Sequence, residues 1–414
     1  MSTLASSSPS LPAATIVSGF LGAGKTTWLN RVLTEPRGLR VAIVVNDVGE
    51  INIDAALLSA TQPSANGTAA AKIVGLSNGC VCCTVRDDLA ETVAELAASG
   101  NYDHIVVECS GVSEPRLVAG LFTERNQFGR SLGQFARLHA LITLVDAAHF
   151  LAESRRRSPT GGSATQPFGS RRPLFDLMLE QVECADVVIL NKTDRASVEE
   201  RAEVHALITH LNGRAEIHEA QFGAVATEVW PGSARFQPKE TPKSATWMRV
   251  LDTPQRGAAQ GLARVPLLRP PPPAAESYAS KYGLGTWLYS RRAPLREMAL
   301  RALFERGIPG LVRAKGFFWS VEQPDDLGFL SLAGGAVRLD YPAQWVAALV
   351  TKGVLREAEI PASIRAFWVP PFGDRRQEIV FIGVGLDATR LEADLDTCLE
   401  GAPQHDPQHP APAS

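Results

Sequence analysis

The chain has 414 residues, of which 45% are hydrophobic and 21% are charged; this is enough for two or three globular domains and excludes wholesale disorder. Its formal charge of −3 provides no global basic field for nucleic acid, and no apolar run approaches the roughly 18 residues needed to span a bilayer. Because the start of the chain also lacks the basic and apolar regions of a secretory signal, we expect a cytoplasmic protein that has neither nucleic acid nor a membrane as a partner.

Short β-branched runs alternate with helical stretches from residue 15 to about residue 229. This rhythm predicts an α/β fold with a mainly parallel sheet flanked by helices. Proline, lysine and glycine then dominate, and the composition of the later part predicts a smaller α+β C-terminal domain. The predicted boundaries are a disordered start at 1–12, the α/β domain at 13–230, a proline-rich linker at 231–276, the C-terminal domain at 277–396 and a disordered tail at 397–414.

Residues 19–27 match the phosphate-binding pattern G-x-x-x-x-G-K-[ST] between a β run and a helical stretch, which predicts a P-loop NTPase domain. Backbone N–H groups of such a loop, and the positive end of the following helix, bind phosphate oxygens. Lys25 then reaches the β and γ phosphates as a catalytic group, and Thr26 ligates Mg²⁺. The alternative is a glycine-rich turn that binds nothing, which the order of strand, loop and helix disfavours. The predicted nucleotide-binding residues here are Gly19, Gly22, Ala23, Gly24, Lys25, Thr26 and Thr27.

The segment Asn-Asp-Val-Gly-Glu at 46–50 follows the second β run and is predicted to be the first switch loop. Its carboxylates are suited to Mg²⁺ or to a second metal. We take Asp47 as a candidate catalytic residue and Glu50 as a candidate metal ligand.

Three of the six cysteines, Cys80, Cys82 and Cys83, lie within four positions ahead of a helical stretch. Thiols this close can converge on one soft or borderline cation, and a helix N-terminus favours their thiolate forms. Zn²⁺ prefers four ligands, so that Glu50 or a water would complete the set. Buried structural cysteines and a redox disulfide are the alternatives that chemistry alone leaves open.

Glu108 and Gly111 follow the apolar run at 104–107. In P-loop domains this place is taken by an acidic residue that supports Mg²⁺ and by a glycine whose N–H senses the γ phosphate. We expect Glu108 to be catalytic or metal-supporting and Gly111 to bind the nucleotide. The alternative for Glu108 is a carboxylate that stabilises a helix start through the helix dipole.

The motif Asn-Lys-Thr-Asp at 191–194 follows another apolar run and resembles the guanine-reading element of GTPases. The Asp194 carboxylate can accept hydrogen bonds from both N1–H and the exocyclic amine of guanine, a pair that adenine does not offer. We therefore predict selection of GTP over ATP, with Asn191, Lys192 and Asp194 as nucleotide-binding residues. In isolation the same motif would be an ordinary surface turn.

Taken in order, these motifs resemble the CobW-like metallochaperone GTPases. Later segments are similar to that family's C-terminal domain, in particular to that of its zinc-responsive YciC-like branch. These segments are 282–283, 313–319 and 373–378. The resemblance implies slow GTP hydrolysis with Mg²⁺, coupled to carrying Zn²⁺ or Co²⁺ to a client metalloprotein. It also implies that Cys80, Cys82 and Cys83 bind this metal, with Glu50 as the matching acidic residue. The motifs that carry the resemblance are GFLGAGKTT, NDVGEINIDA, SNGCVCCTVRDDL, ECSGVSEP and NKTD.

Many relatives also carry a histidine-rich stretch, whereas this chain has only His405 and His409 in its tail. The sequence separates neither zinc from cobalt nor a single chain from a homo-oligomer. A cobalt chaperone for cobalamin synthesis and a nucleotide-gated protein-binding switch with structural cysteines are therefore kept as alternatives. A P-loop kinase or ATPase is disfavoured by Asp194.

Overall fold

The computed structural model describes residues 11–45, 72–75, 84–126, 129–155, 174–252, 261–268, 272–333 and 336–401. The chain divides into two compact units. Unit 1 comprises Met1–Phe150, Leu177–Arg201 and Arg214–Ser244, and unit 2 comprises Leu151–Asp176, Ala202–Gly213 and Ala245–Ser414. Within the described ranges, no helix is both long and apolar enough to cross a membrane.

Unit 1 is built on a seven-stranded sheet. Its strands are β1 (Ala13–Gly19), β2 (Val41–Val45), β3 (Lys72–Gly75), β4 (His104–Glu108), β5 (Arg137–Asp146), β6 (Val187–Asn191) and β7 (Glu216–Glu219). They lie in the order β3-β2-β4-β1-β5-β6-β7, and every pair of neighbours is parallel. The helices along this part of the chain are α1 (Lys25–Thr34), α2 (Thr84–Ala98), α3 (Pro115–Thr123), α4 (Ala147–Arg155), α5 (Leu174–Glu183) and α6 (Val198–Leu211).

The central strands are buried on both faces, as the continuous apolar runs predict. All five residues of β2 are buried, and neighbouring residues of the strand belong to different hydrophobic clusters. Ile43 packs in the cluster that contains Trp28 and Leu29 of α1, whereas Val44 packs in the cluster that contains Leu89 of α2. Because successive side chains of a strand point to opposite faces, helices cover both sides of the sheet, and the predicted α/β fold is confirmed.

Unit 2 is built on a six-stranded antiparallel sheet. Its strands are β8 (Gly261–Arg264), β9 (Leu284–Arg291), β10 (Leu311–Trp319), β11 (Asp326–Ala333), β12 (Ala336–Gln344) and β13 (Gln377–Val384). They lie in the order β12-β11-β10-β13-β9-β8. The helices are α7 (Thr246–Asp252), α8 (Pro273–Tyr282), α9 (Glu297–Glu305), α10 (Val346–Thr351), α11 (Ala362–Arg365) and α12 (Ala388–Asp396). Apolar residues of α9 and α12 pack against this sheet in one cluster, and the predicted α+β C-terminal domain is confirmed.

The described elements of unit 2 extend beyond the predicted bounds of the C-terminal domain at both ends. The stretch predicted as a linker, 231–276, contains helix α7 and strand β8, and Trp247 and Leu251 are buried there. Residues 397–401, predicted as the beginning of the tail, include the buried Leu399, which pairs with Leu295. In both places a few apolar residues at helical or strand spacing bury themselves against the sheet, although the surrounding composition is polar and rich in proline.

Candidate functional site

The predicted nucleotide-binding motifs follow neighbouring strands of the parallel sheet. Strand β1 leads into the P-loop at Gly19, and the adjacent strands β4 and β5 end at Glu108 and Asp146. Asp146 is in register with Asn191, the last residue of β6. Because the carboxyl ends of parallel strands share one edge, the structure brings these four segments together at the place where α/β sheets bind ligands.

The P-loop has the backbone conformation that its glycines allow. Gly22 and Gly24 have φ angles of 77° and 104° in the left-handed region, which disfavours residues with a side chain. A Cβ on Gly24 would lie 2.4 Å from Nδ2 of Asn191, and a Cβ on Gly19 would lie 2.5 Å from the carbonyl oxygen of Leu144. The turn therefore favours glycine at both Gly22 and Gly24, and the close approach of β5 and β6 further requires glycine at Gly19 and Gly24.

Helix α1 begins at Lys25, directly after the loop. The Lys25 side chain is 7% exposed, and its Nζ donates a hydrogen bond to the carbonyl oxygen of Gly19 at 2.9 Å. Thr26 is half-buried and Thr27 is exposed in the first turn of the same helix. An ammonium group, the N–H groups at a helix N-terminus and a hydroxyl thus lie within one turn, a combination suited to phosphate and its magnesium ion.

Glu108 and Gly111 lie beside the P-loop. Glu108 is 2% exposed at the end of β4, in register with Val17 of β1 and with Val45 of β2. A Cβ on Gly111 would lie 2.8 Å from the backbone nitrogen of Leu21, so that only glycine permits this approach. The neighbouring Cys109 is fully buried, which raises the pKa of its thiol to about 12 and leaves it protonated.

A glutamine that the sequence analysis missed holds the loop after β4. Nε2 of Gln181, in helix α5, donates hydrogen bonds to the carbonyl oxygens of Gly111 at 3.1 Å and of Ser113 at 3.2 Å. The carbonyl oxygen of Gln181 accepts a hydrogen bond from the hydroxyl of Thr143 on β5 at 2.9 Å. Gln181 is only 1% exposed. Helix α5 also contains Asp176, Glu180 and Glu183. No local sequence signal therefore distinguished Gln181, and its partners are distant in the chain.

Asn191 ties two loops together through its side-chain amide. Its Nδ2 donates to the carbonyl oxygen of Ala23 in the P-loop at 2.9 Å, and its Oδ1 accepts from the backbone N–H of Gly223 at 3.0 Å. The side chain is 1% exposed. Asn191 therefore fixes the P-loop relative to the loop that follows β7.

Lys192 and Asp194 occupy the turn after β6. Lys192 has a φ angle of 56°, and its Nζ forms an ion pair of 2.8 Å with Oδ2 of Asp146, a residue that the sequence analysis did not single out. Oδ1 of Asp146 accepts a hydrogen bond from the backbone N–H of His149 at 3.1 Å. Asp194 is exposed, and its carboxylate is accessible to a ligand.

The predicted transition-metal ligands lie outside the described residues, as does one predicted catalytic residue. Among the described residues, no group of three or more histidine, cysteine, aspartate or glutamate side chains could hold a metal ion. The three described cysteines, Cys109, Cys184 and Cys398, are all buried. Burial raises the pKa of the Cys109 and Cys184 thiols to about 12. The predicted residues outside the description are Asp47, Glu50, Cys80, Cys82 and Cys83.

Family models match both units of the chain. Residues 13–219 match the nucleotide-binding domain of CobW/HypB/UreG proteins, and residues 284–399 match the C-terminal domain of the cobalamin synthesis protein cobW. The first match covers the P-loop, the loop after β4 and the turn after β6, so that it includes each of the nucleotide-site motifs described above.

Two curated relatives and one solved structure are similar to this chain over different shares of its length. The zinc-regulated GTPase metalloprotein activator 1 of Dictyostelium discoideum is 32% identical over 395 residues, which cover 93% of this chain and 79% of the relative. The zinc chaperone CobW of Pseudomonas aeruginosa is 35% identical over 236 residues, which cover 53% of this chain and 59% of the relative. The structure of Zn(II)-bound YjiA GTPase from E. coli is 18% identical, with a TM-score of 0.41, covering 94% of this chain and 100% of that chain.

Proposed function

Since the chain belongs to the CobW/HypB/UreG family of P-loop GTPases, we propose that it uses GTP hydrolysis to carry Zn²⁺ to a client metalloprotein. The hydrolysis of GTP to GDP and phosphate is the activity of this family. The observation that carries the metal part of the proposal is the match to the Dictyostelium activator along nearly the whole of this chain. That relative is named for regulation by zinc and for the activation of metalloproteins.

We assign the nucleotide to the edge of the sheet in unit 1. The N–H groups of residues 19–27 and Lys25 bind the phosphates, and Asp194 accepts hydrogen bonds from guanine. Gly111 contacts the γ phosphate, and Glu108 and Asp47 support the attack of water. Thr26 and Glu108 supply the hard oxygen donors that Mg²⁺ prefers. When bound, Mg²⁺ would neutralise charge on the β and γ phosphate oxygens.

Zn²⁺ is the cargo, and we assign it to Cys80, Cys82, Cys83 and Glu50. The ends of the described strands support this set. Val45, the last residue of β2, is in register with both Gly75, the last residue of β3, and Glu108. The segments that carry Glu50 and the cysteines therefore leave neighbouring strands at the edge that also carries the P-loop. Binding of the γ phosphate can order loops that hydrolysis then releases, which provides two states for holding and surrendering a metal.

The test of this proposal is GTP turnover with and without Zn²⁺ or Co²⁺. We expect the wild-type rate to change when metal is added, because metal and nucleotide bias the same loops. Cys82→Ala is expected to remove this response while basal turnover is retained. Cys398→Ser, at a cysteine outside the cluster, is the control and should respond as the wild type does. Metal coupling would be contradicted if neither metal changes the wild-type rate of GTP turnover, or if Cys82→Ala still responds to metal. Either result would favour the nucleotide-gated protein-binding switch.

Gln181→Ala is expected to lower kcat for GTP about tenfold while the Kd for GDP stays near the wild-type value. The reason is that Gln181 donates to the carbonyl oxygens of Gly111 and Ser113, and Gly111 is assigned to the γ phosphate, which GDP lacks. Gln181 is thus a positioning residue. Single-turnover hydrolysis and GDP titration measure the two quantities.

Gln323→Ala, at an exposed glutamine in unit 2, is the control for this comparison. A matching loss of GDP affinity, or an unchanged kcat, would show that Gln181 does not act through the γ-phosphate loop.

A further inference from the structure

The loop after β7 presents an aromatic side chain to solvent. Phe222 is 66% exposed and has a φ angle of 51°, which lies in the left-handed region. A non-glycine residue in this conformation is uncommon, and such strain concentrates at ligand sites when the surrounding contacts hold it in place. Burial of the ring does not explain the conformation, since most of the ring faces solvent.

Hydrogen bonds hold this loop against the turn after β6. Both the backbone N–H and the hydroxyl of Thr193 donate to the carbonyl oxygen of Ala220, at 3.2 and 3.1 Å. The N–H of Gly223 donates to Oδ1 of Asn191 at 3.0 Å. Phe222 therefore lies between two residues that are each bonded directly to the motif at 191–194.

Helix α1 holds the same loop from the other side. The carbonyl oxygen of Phe222 accepts a hydrogen bond from Nε of Arg31 at 2.9 Å. A Cβ on Gly223 would lie 3.0 Å from Cα of Trp28, so that the loop packs closely on the helix that begins at the P-loop. The strained backbone of Phe222 is thus fixed by both elements that the nucleotide must bridge, the phosphate-binding helix and the guanine-reading turn.

We propose that the ring of Phe222 is the platform on which the guanine base of the bound nucleotide stacks. Asp194 would accept the hydrogen bonds of the base edge, while Phe222 would cover a face of the base. Stacking on an aromatic ring tolerates any purine, because every base has a π face; base selection stays with Asp194. This inference rests on the assignment of the guanine site to Asp194 in the proposed function.

The test compares the Kd values of GDP and GTP for Phe222→Asn and Phe222→Tyr. Asparagine accepts the left-handed conformation better than other residues with a side chain, so that this variant removes the ring with little disturbance of the loop. Phe222→Asn is expected to weaken both nucleotides by about tenfold or more. Phe222→Tyr keeps the ring and should bind both as the wild type does. Val198→Asn, at another exposed apolar residue of unit 1, is the control and should leave both Kd values unchanged.

A second readout separates stacking from a merely structural role. Phe222→Trp keeps an aromatic platform, and its added emission should be quenched by GDP but not by pyrophosphate, which has no base. If Phe222→Asn leaves both Kd values unchanged while Asp194→Asn still weakens GDP binding, the stacking role of Phe222 is wrong and the guanine site at Asp194 stands. If Asp194→Asn also left the GDP affinity unchanged, both the guanine site and the platform would be wrong.

Discussion

Replacing Lys25 with alanine is expected to abolish GTP hydrolysis and to weaken GTP binding roughly 100-fold, because charge-assisted hydrogen bonds to the phosphates contribute about 1.5–3 kcal/mol each. Lys25 is 7% exposed, and its ammonium lies 2.9 Å from the carbonyl oxygen of Gly19. It is thus desolvated and already directed at the loop before it meets a phosphate. Turnover assays and GTP titration measure the two effects.

The control for Lys25→Ala is Lys281→Ala, which removes an exposed ammonium in unit 2. The melting temperature without nucleotide should not fall in Lys25→Ala, because the variant removes a charge from a largely buried position. Normal turnover in a folded Lys25→Ala protein would contradict the assignment of the phosphate site.

Asp194→Asn is expected to lower the affinity for GTP roughly 100-fold, since it removes the carboxylate that is assigned to accept hydrogen bonds from both N1–H and the amine of guanine. Affinity for XTP should rise, because the asparagine amide can donate to the additional carbonyl oxygen of xanthine. Asp194 is exposed, and the melting temperature should therefore stay close to the wild-type value. Competition among GTP, XTP and ATP measures the preference.

Asp252→Asn, at an exposed carboxylate in unit 2, is the matched control. An unchanged preference for GTP in Asp194→Asn would rule out this turn as the guanine-reading element. ATP binding as tight as GTP in the wild type would restore the ATPase interpretation.

The fold class and the P-loop could be predicted because their signals are local. Each buried strand is one contiguous apolar run, and the loop, lysine and helix of the P-loop are consecutive residues. Their meeting at one sheet edge follows from parallel strand geometry alone. The alignment of Glu108 with residues of β1 and β2 could be expected for the same reason.

The supporting contacts could not be predicted because they join residues that are far apart in sequence. Gln181 reaches back to Gly111, and Asp146 pairs with Lys192. Composition alone does not indicate which of the polar residues in a helix finds such partners. For the same reason, the prediction of a linker missed the burial of Trp247, which lies within a proline-rich and lysine-rich segment.

Coupling between the nucleotide and the transition metal is measured by competitive titration of reduced, metal-free protein with Zn²⁺ and Co²⁺. The titrations are made with GTP·Mg²⁺, with GDP·Mg²⁺ and without nucleotide, on the wild type and on a Cys80→Ala/Cys82→Ala/Cys83→Ala variant. We predict tight, stoichiometric Zn²⁺ binding that requires the three cysteines and is strongest with GTP. Weak binding that depends on neither the cysteines nor the nucleotide would contradict the coupling of metal and nucleotide.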